Sequence, residues 1–169
     1  MDISVVIVSY NVKEYIISCI ESIYKHTSQK IEFEIIVVDN NSSDQTIESV
    51  LKKFSKVKII DNNYNVGFTI AANQGAKSSI GKYLFFLNPD TRLDEDSLKK
   101  MLNKADDIHQ LGALGPQIID ENGIKRQSFW KEPTLTNTLL SISHLDFLNY
   151  NKNYKSEKFS SLKEVETLS

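Results

Sequence analysis

Two short runs rich in β-branched residues, Ile3-Ser4-Val5-Val6-Ile7-Val8 and Phe33-Glu34-Ile35-Ile36-Val37-Val38, each stop at a polar turn and give way to helical periodicity. Runs that are apolar at nearly every position, with no strict alternation, read as strands covered on both faces. After the first, Val12, Tyr15, Ile16, Cys19, Ile20, Ile23 and Tyr24 recur at helical spacing. Asn11, with Glu14 three residues later, has the form of a capping box. After the second, Asp39-Asn40-Asn41-Ser42-Ser43-Asp44 leads into a helix with Ile47, Val50, Leu51 and Phe54 on one face, and Val57-Lys58-Ile59-Ile60 reads as a third strand. Crossovers of this length return the chain parallel to itself. The expected fold class is therefore α/β, a mainly parallel sheet flanked by helices.

The same rhythm continues. Asn65-Val66-Gly67-Phe68 reads as a turn, and Thr69 to Ser78 as a helix whose small residues Ala71, Ala72, Gly75 and Ala76 would let it lie close to the sheet. Tyr83-Leu84-Phe85-Phe86-Leu87 then reads as a buried strand that stops abruptly at Asn88-Pro89-Asp90. In an open α/β sheet, ligands bind at the carboxyl ends of the strands. Asp90 is accordingly the leading candidate to meet a metal ion and a phosphate, although Pro89 and Asp90 are also ordinary turn formers. Asp39, at the end of the second strand, could accept a hydrogen bond from the imide N–H of a uracil or thymine ring. It could equally be a loop aspartate that caps the next helix. Ser9 and Tyr10 belong to the same edge.

Farther on, Leu98, Met101, Leu102, Ala105 and Ile108 form one stripe of a surface helix over 96–110. Ala113-Leu114-Gly115 reads as a strand, and Asp120-Glu121-Asn122-Gly123 as a turn between Ile118-Ile119 and Ile124. Leu135, Leu139, Leu140, Ile142, Leu145 and Leu148 suggest a helix. The polar stretch from Asn149 to Ser161 reads as a mobile loop, and Val165 to Ser169 as the start of a strand.

Composition removes several functional classes. A chain of 169 residues has the size of one domain, and a net charge of −2 gives no reason to expect a nucleic-acid partner. With a single cysteine, Cys19, there is neither an internal disulfide nor a cysteine zinc site, and its place on an apolar helix face makes it a core residue. The run Ile3–Val8 is far too short for a membrane span and follows no basic leader, so neither signal peptide nor transmembrane segment is expected. Ser9-Tyr10-Asn11-Val12-Lys13-Glu14 contains no glycine, which argues against a dinucleotide fingerprint, and no Walker loop is present. A receiver domain would need acids where this chain has Ser9-Tyr10-Asn11. His26, His109 and His144 have no metal-ligand spacing. Phe129 and Trp130 could stack a sugar, but burial is the commoner use.

Taken together, Val5 to Asn11, Glu34 to Asp44, Asn65 to Phe68 with Ala72 to Gly75, and Phe86 to Thr91 resemble, in order and spacing, the family-2 glycosyltransferases of the GT-A fold. The resemblance covers residues 3 to about 120. The Asn-Pro-Asp form is similar to a rhamnosyltransferase-like branch, as is, more weakly, Gly123 to Leu135 with its Gln127-Ser128 and Pro133-Thr134-Leu135. It implies a Rossmann-like GT-A domain: residues 1–120 would be the nucleotide-sugar donor-binding half, and 121–169 the incomplete start of an acceptor-side half.

The implied reaction is transfer of a sugar from a nucleoside diphosphate of uridine or thymidine type to a hydroxyl of a glycan or lipid-linked acceptor, in bacterial surface polysaccharide synthesis. Ser9, Tyr10 and Asp39 would hold the base, with Asn65, Gly67 and Asn88 completing the donor site. Asp90 would coordinate Mg2+ or Mn2+ on the diphosphate. A hard cation suits carboxylate and phosphate oxygens and offsets charge that grows on the leaving group.

The expected location is cytoplasmic, with peripheral association at the inner face of the membrane. Two departures stand out. The first position of the family's acidic pair is the amide Asn88, and Ala72 stands where many relatives carry Arg, so the phosphate contacts implied for that Arg come from Arg92 or Arg126 or are missing. The resemblance also implies a general base beyond Ser169, since Glu164 and Glu166 read as solvated charges. A catalytically inactive nucleotide-sugar-binding fragment is therefore the rival reading. A sugar-phosphate nucleotidyltransferase is disfavoured by the missing glycine-rich, basic first turn.

Overall fold

A computed structural model describes residues 1–126 of the chain. The chain divides into two compact units, Met1–Ile108 and His109–Ser169. The first contains four strands and four helices in alternation: β1 (Ile3–Ser9), α1 (Lys13–His26), β2 (Phe33–Asp39), α2 (Thr46–Lys53), β3 (Lys58–Asp61), α3 (Phe68–Ser78), β4 (Tyr83–Phe86) and α4 (Ser97–Asp107). The strands form one parallel sheet in the order β3-β2-β1-β4. The chain thus builds outward from β1 in one direction and then returns to its other side for β4.

The apolar runs supply both faces of this sheet, as expected of strands without alternation. Val5, Ile7, Ile35 and Val37 point to a core shared with Ile16, Cys19, Ile20 and Ile23 of α1, Val50 of α2 and Leu98 of α4. Val6, Ile36 and Val38 point the other way, onto Ala71 of α3. Close approach of α3 depends on Gly75, where a Cβ would sit 2.4 Å from Cγ1 of Val6. That contact accounts for a glycine inside a helix, where it costs about 1 kcal/mol in propensity.

At the amino ends of the strands a buried carboxylate joins four segments. Glu34 accepts from the Ser4 hydroxyl at 2.5 Å and the Ile80 amide at 2.9 Å, and its other oxygen pairs with Lys58 at 2.6 Å. The Ser4 oxygen in turn accepts from the Gly81 amide. Burial by itself would raise the Glu34 carboxyl, but the Lys58 ammonium, Ser4 and Ile80 together hold it below the ordinary carboxylate range.

Three expectations are corrected. The Asn11–Glu14 capping box does not form: Val12 occupies the N-cap position of α1 without a side-chain cap, and Asn11 sits at φ 53° with its amide turned toward Ser43. The strand at 83–87 is not covered on both faces. It ends at Phe86, and Leu84 and Phe86 are 46% and 48% exposed, since α3, the helix on that face, packs chiefly on β1 and β2. Residues 113–115 form no strand.

In the second unit, the turn over Asp120–Gly123 is present, closed by the Gly123 amide on the Asp120 carbonyl and by an antiparallel bridge of Ile119 with Lys125. The helix expected after Leu135, the loop of 149–161, the final strand, Phe129, Trp130 and the 127–135 motif lie outside the described residues.

Candidate functional site

Parallel pairing brings the ends of β1, β2 and β3 to one edge. Ser9 stands opposite Asp39, and Asp39 opposite Asp61. On the other side of β1, Phe86 stands opposite Val6, and the Leu87 amide donates to the Val6 carbonyl, so Asn88-Pro89-Asp90 emerges at the same edge. With neighbouring strands about 4.8 Å apart, the ends of β2 and β4 are about 10 Å from each other across β1. The order β2-β1-β4 also makes the β1/β4 gap the place where the chain's direction of travel across the sheet reverses, the usual position of a ligand crevice.

Asp39 is fully buried and is engaged by the protein itself. Its Oδ1 accepts from the hydroxyls of Ser9 and Ser42, each at 2.7 Å, and its Oδ2 from the Ser42 amide at 2.7 Å. A carboxylate has about four acceptor positions, so one remains on Oδ2. Asp39 therefore organises the loop after β2, while α2 receives its first-turn bonds from Asp44, which accepts from the amide and hydroxyl of Thr46.

The loops after β1 and β2 are cross-linked. Asn11 donates its amide N–H to the Ser42 hydroxyl oxygen and accepts from Ser43, and Lys13 donates its amide to Asp44. Burial would raise the Asp44 carboxyl, yet bonds from Thr46 and Lys13 hold it below its ordinary range. Tyr10, half exposed, projects from this assembly.

A second group, of neutral amides, was not anticipated. Asn62 and Gln74 exchange two hydrogen bonds of 2.9 Å, and Asn62 Nδ2 also donates to Asn40 Oδ1 at 3.0 Å. Asn40 Nδ2 reaches the Gly67 carbonyl at 3.5 Å. Asn65 accepts from the Gly67 amide at 2.9 Å, and Gly67 adopts φ 82° as it leads into α3. Asn65 and Gly67 are exposed, whereas Asn40 and Asn62 are buried.

Asn88 and Asp90 are exposed on a tight turn. The Asn88 carbonyl accepts from the Thr91 amide at 3.2 Å, the Thr91 hydroxyl at 2.7 Å and the Cys19 thiol at 3.7 Å. Cys19 is a core residue, as expected. Burial pushes its thiol up to about 12, the Thr91 bond pulls the other way, and the Asp90 charge adds to the rise.

The donor set at this turn is one free carboxylate, Asp90, beside the Asn88 amide oxygen. Among the described residues no three acids, histidines or cysteines converge on a cation site. That composition fits Mg2+ or Mn2+ held by one carboxylate together with phosphate oxygens and water, and does not fit an all-protein cage.

Of the cations expected to meet phosphate, Arg92 is exposed two residues after Asp90 and makes no ion pair among the described residues. Arg126 is paired with Asp120 at 2.8 Å within the second unit. Ala72 is buried and offers nothing to a ligand.

Comparison with known proteins gives this edge a context. Residues 4–162 match the family model described as glycosyl transferase family 2. An uncharacterized glycosyltransferase of Haemophilus influenzae is 33% identical over 149 residues, covering 81% of this chain and 46% of that protein. The poly(ribitol-phosphate) beta-N-acetylglucosaminyltransferase TarS of Staphylococcus aureus is 28% identical over 160 residues, covering 92% of this chain and 28% of TarS. A crystal structure of S. aureus TarS 1-349 in complex with UDP-GlcNAc superposes with a TM-score of 0.60 at 26% identity, over 95% of this chain and 50% of that one. The chain thus spans less than half the length of these curated relatives.

Proposed function

The chain belongs to glycosyl transferase family 2 and has its GT-A fold, and on that premise we propose that residues 1–120 bind a nucleoside-diphosphate sugar for transfer to an acceptor hydroxyl. The observation that carries this reading is the meeting of three strand ends, with Ser9 and Tyr10, Asp39, and Asn88 to Asp90, on one edge of the sheet. Two poles about 10 Å apart suit a ligand with a base at one end and a diphosphate at the other.

At the base pole, the remaining acceptor position on Asp39 Oδ2 suits a ring imide N–H. Because Asp39 is buried, a base reaches it only if a covering group moves. Ser42, in the loop after β2, is the group placed to do so. Tyr10 would supply an exposed aromatic face for the ring, and Asn65 and Gly67, exposed just before α3, would complete this pole. Uridine is favoured over thymidine by the TarS complexes with UDP and UDP-GlcNAc. A rhamnosyl donor has only the Asn-Pro-Asp form and the 127–135 residues in its favour.

At the diphosphate pole, Asp90, with the amide oxygen of Asn88, would hold Mg2+ or Mn2+, and Arg92 would approach phosphate. The cation, when bound, withdraws charge from the departing diphosphate. Asp90 would orient the diphosphate by holding that cation, and the Asn88–Thr91 turn keeps Asp90 outside the core. No acid among the described residues is assigned as general base.

TarS and the poly(ribitol-phosphate) beta-glucosyltransferase of Bacillus spizizenii, 32% identical over 134 residues, act by name on poly(ribitol-phosphate), which supports a surface polysaccharide as the destination. A lipid-linked acceptor and work at the cytoplasmic face of the membrane belong to the same proposal. No helix among the described residues is long and apolar enough to cross a membrane.

Titration calorimetry with UDP and UDP-GlcNAc, with and without Mn2+, tests the donor site. Binding that requires Mn2+ supports the reading, and its absence for every nucleotide sugar overturns it. Radiolabelled transfer to an acceptor panel then separates an active transferase from a domain that binds without turnover.

A further inference from the structure

We propose that Asn62 and Gln74 are positioning residues for the nucleotide, holding the 62–67 loop in the one conformation that presents Asn65 and Gly67. The inference rests on the donor reading above. Its physical basis is how that loop is tethered. Residues 63–65 are exposed and belong to no helix or strand. The Asn65–Gly67 bond is internal to the loop, so it shapes the turn without anchoring it. The Asn40–Gly67 contact, at 3.5 Å, is long.

Besides the packing of Val66 against the α3-side core, the strong anchor is Asn62. Its backbone N–H donates to the Asp39 carbonyl at 2.9 Å, and its side chain makes three bonds, two to Gln74 and one to Asn40. One residue thereby ties the loop to the end of β2, beside the carboxylate assigned to the base, and to α3.

The choice of amides matters. Replacing paired buried polar groups by apolar ones of similar shape is nearly neutral for stability, so a pair of this kind gains little over leucine or methionine as a stabiliser. What it adds is directionality, since satisfied amides admit one arrangement where an apolar contact admits several. A role in geometry is therefore the better account of three amides converging under a loop that carries two of the assigned donor-site residues.

The test compares wild type with Gln74→Met, with the milder Gln74→Glu, which keeps the acceptor for Asn62 and loses the donor, and with the exchange Asn62→Gln/Gln74→Asn. UDP affinity is measured by calorimetry in Mn2+ at a temperature where urea titration shows each variant to be folded. Amide hydrogen exchange is followed at residues 63–67 and, as an internal reference, in β1 and β2. Gln74→Met is expected to weaken UDP at least 10-fold and to speed exchange at 63–67 by a similar factor, with β1 and β2 unchanged. Gln74→Glu should show the same pattern in smaller measure, and the exchange variant should recover most of both losses. UDP binding by wild type that stays within 2-fold in Gln74→Met and Gln74→Glu overturns this inference alone. A wild-type chain that binds no nucleotide overturns the donor reading, and with it the ligand assigned here.

Discussion

The hydroxyl of Ser9 donates to Oδ1 of Asp39 at 2.7 Å, and the two residues stand directly opposite each other in the parallel register of β1 and β2. A residue assigned to ligand binding is thus also a fastener between two central strands. Asp39→Ala strips the acceptor from Ser9 and Ser42 and is expected to lower unfolding free energy by about 2–3 kcal/mol as well as weaken uridine nucleotides. Ser9→Ala should cost only about 1 kcal/mol. Urea titration beside calorimetry checks both, and an Asp39→Ala protein of wild-type stability would contradict the hydrogen bonds described.

Asp90 has the opposite character. It is exposed and anchors nothing, so Asp90→Ala should change stability by no more than about 0.5 kcal/mol. Nucleotide-sugar binding that depends on Mn2+ should disappear. Unchanged affinity in excess Mn2+ would remove Asp90 from the site.

Gly75→Ala sets two effects against each other. Alanine gains about 1 kcal/mol in helix propensity. Its Cβ, however, would lie 2.4 Å from Val6 Cγ1 and 3.2 Å from Val38 Cγ2, and overpacking of this kind costs about 1–3 kcal/mol. Net destabilisation is expected, with partial recovery in Gly75→Ala/Val6→Ala, both read from chemical denaturation. A more stable Gly75→Ala protein would mean that α3 is free to move off the sheet.

Glu34 predicts an acid-sensitive fold. Its carboxyl is held below the ordinary range in the folded chain, so its contribution is fully present above the unfolded value of about 4.3 and is lost as pH falls through the lower folded value. Asp44 shifts in the same direction and adds to the trend. Glu34→Gln should flatten the fall in stability below about pH 4 relative to wild type. Parallel curves for the two proteins in that range would deny Glu34 its role.

The sheet and its order of elements were legible because their cause is local: β-branched runs bounded by polar turns, repeated with helical spacing between them. The carboxyl-edge residues were legible for the same reason, since they end those runs. What was missed depended on contacts between distant segments. The Asn11 amide has the sequence form of a helix cap, but Ser43, 32 residues away, offered it a better partner. Leu84 and Phe86 have the composition of covered residues, but α3 packs chiefly on β1 and β2 and leaves them exposed. Asn62 and Gln74 carry no local signature, because an amide pair twelve residues apart means nothing until a helix folds back over a strand end. Asp39 was legible as a strand-end residue, while its burial and its bonds from Ser9 and Ser42 were not.

The central position of β1 has a consequence for how the protein comes into being. Once synthesised, β1 acquires one neighbour about thirty residues later and the other about eighty residues later. Until the second arrives, that flank of β1 has no partner among the described strands and the turn bearing Asp90 does not exist. A chain cut off before residue 83 could pair β1, β2 and β3, yet would lack the turn that carries Asp90. The edge that joins Ser9, Asp39 and Asp90 is therefore completed in a single step, when the fourth strand docks.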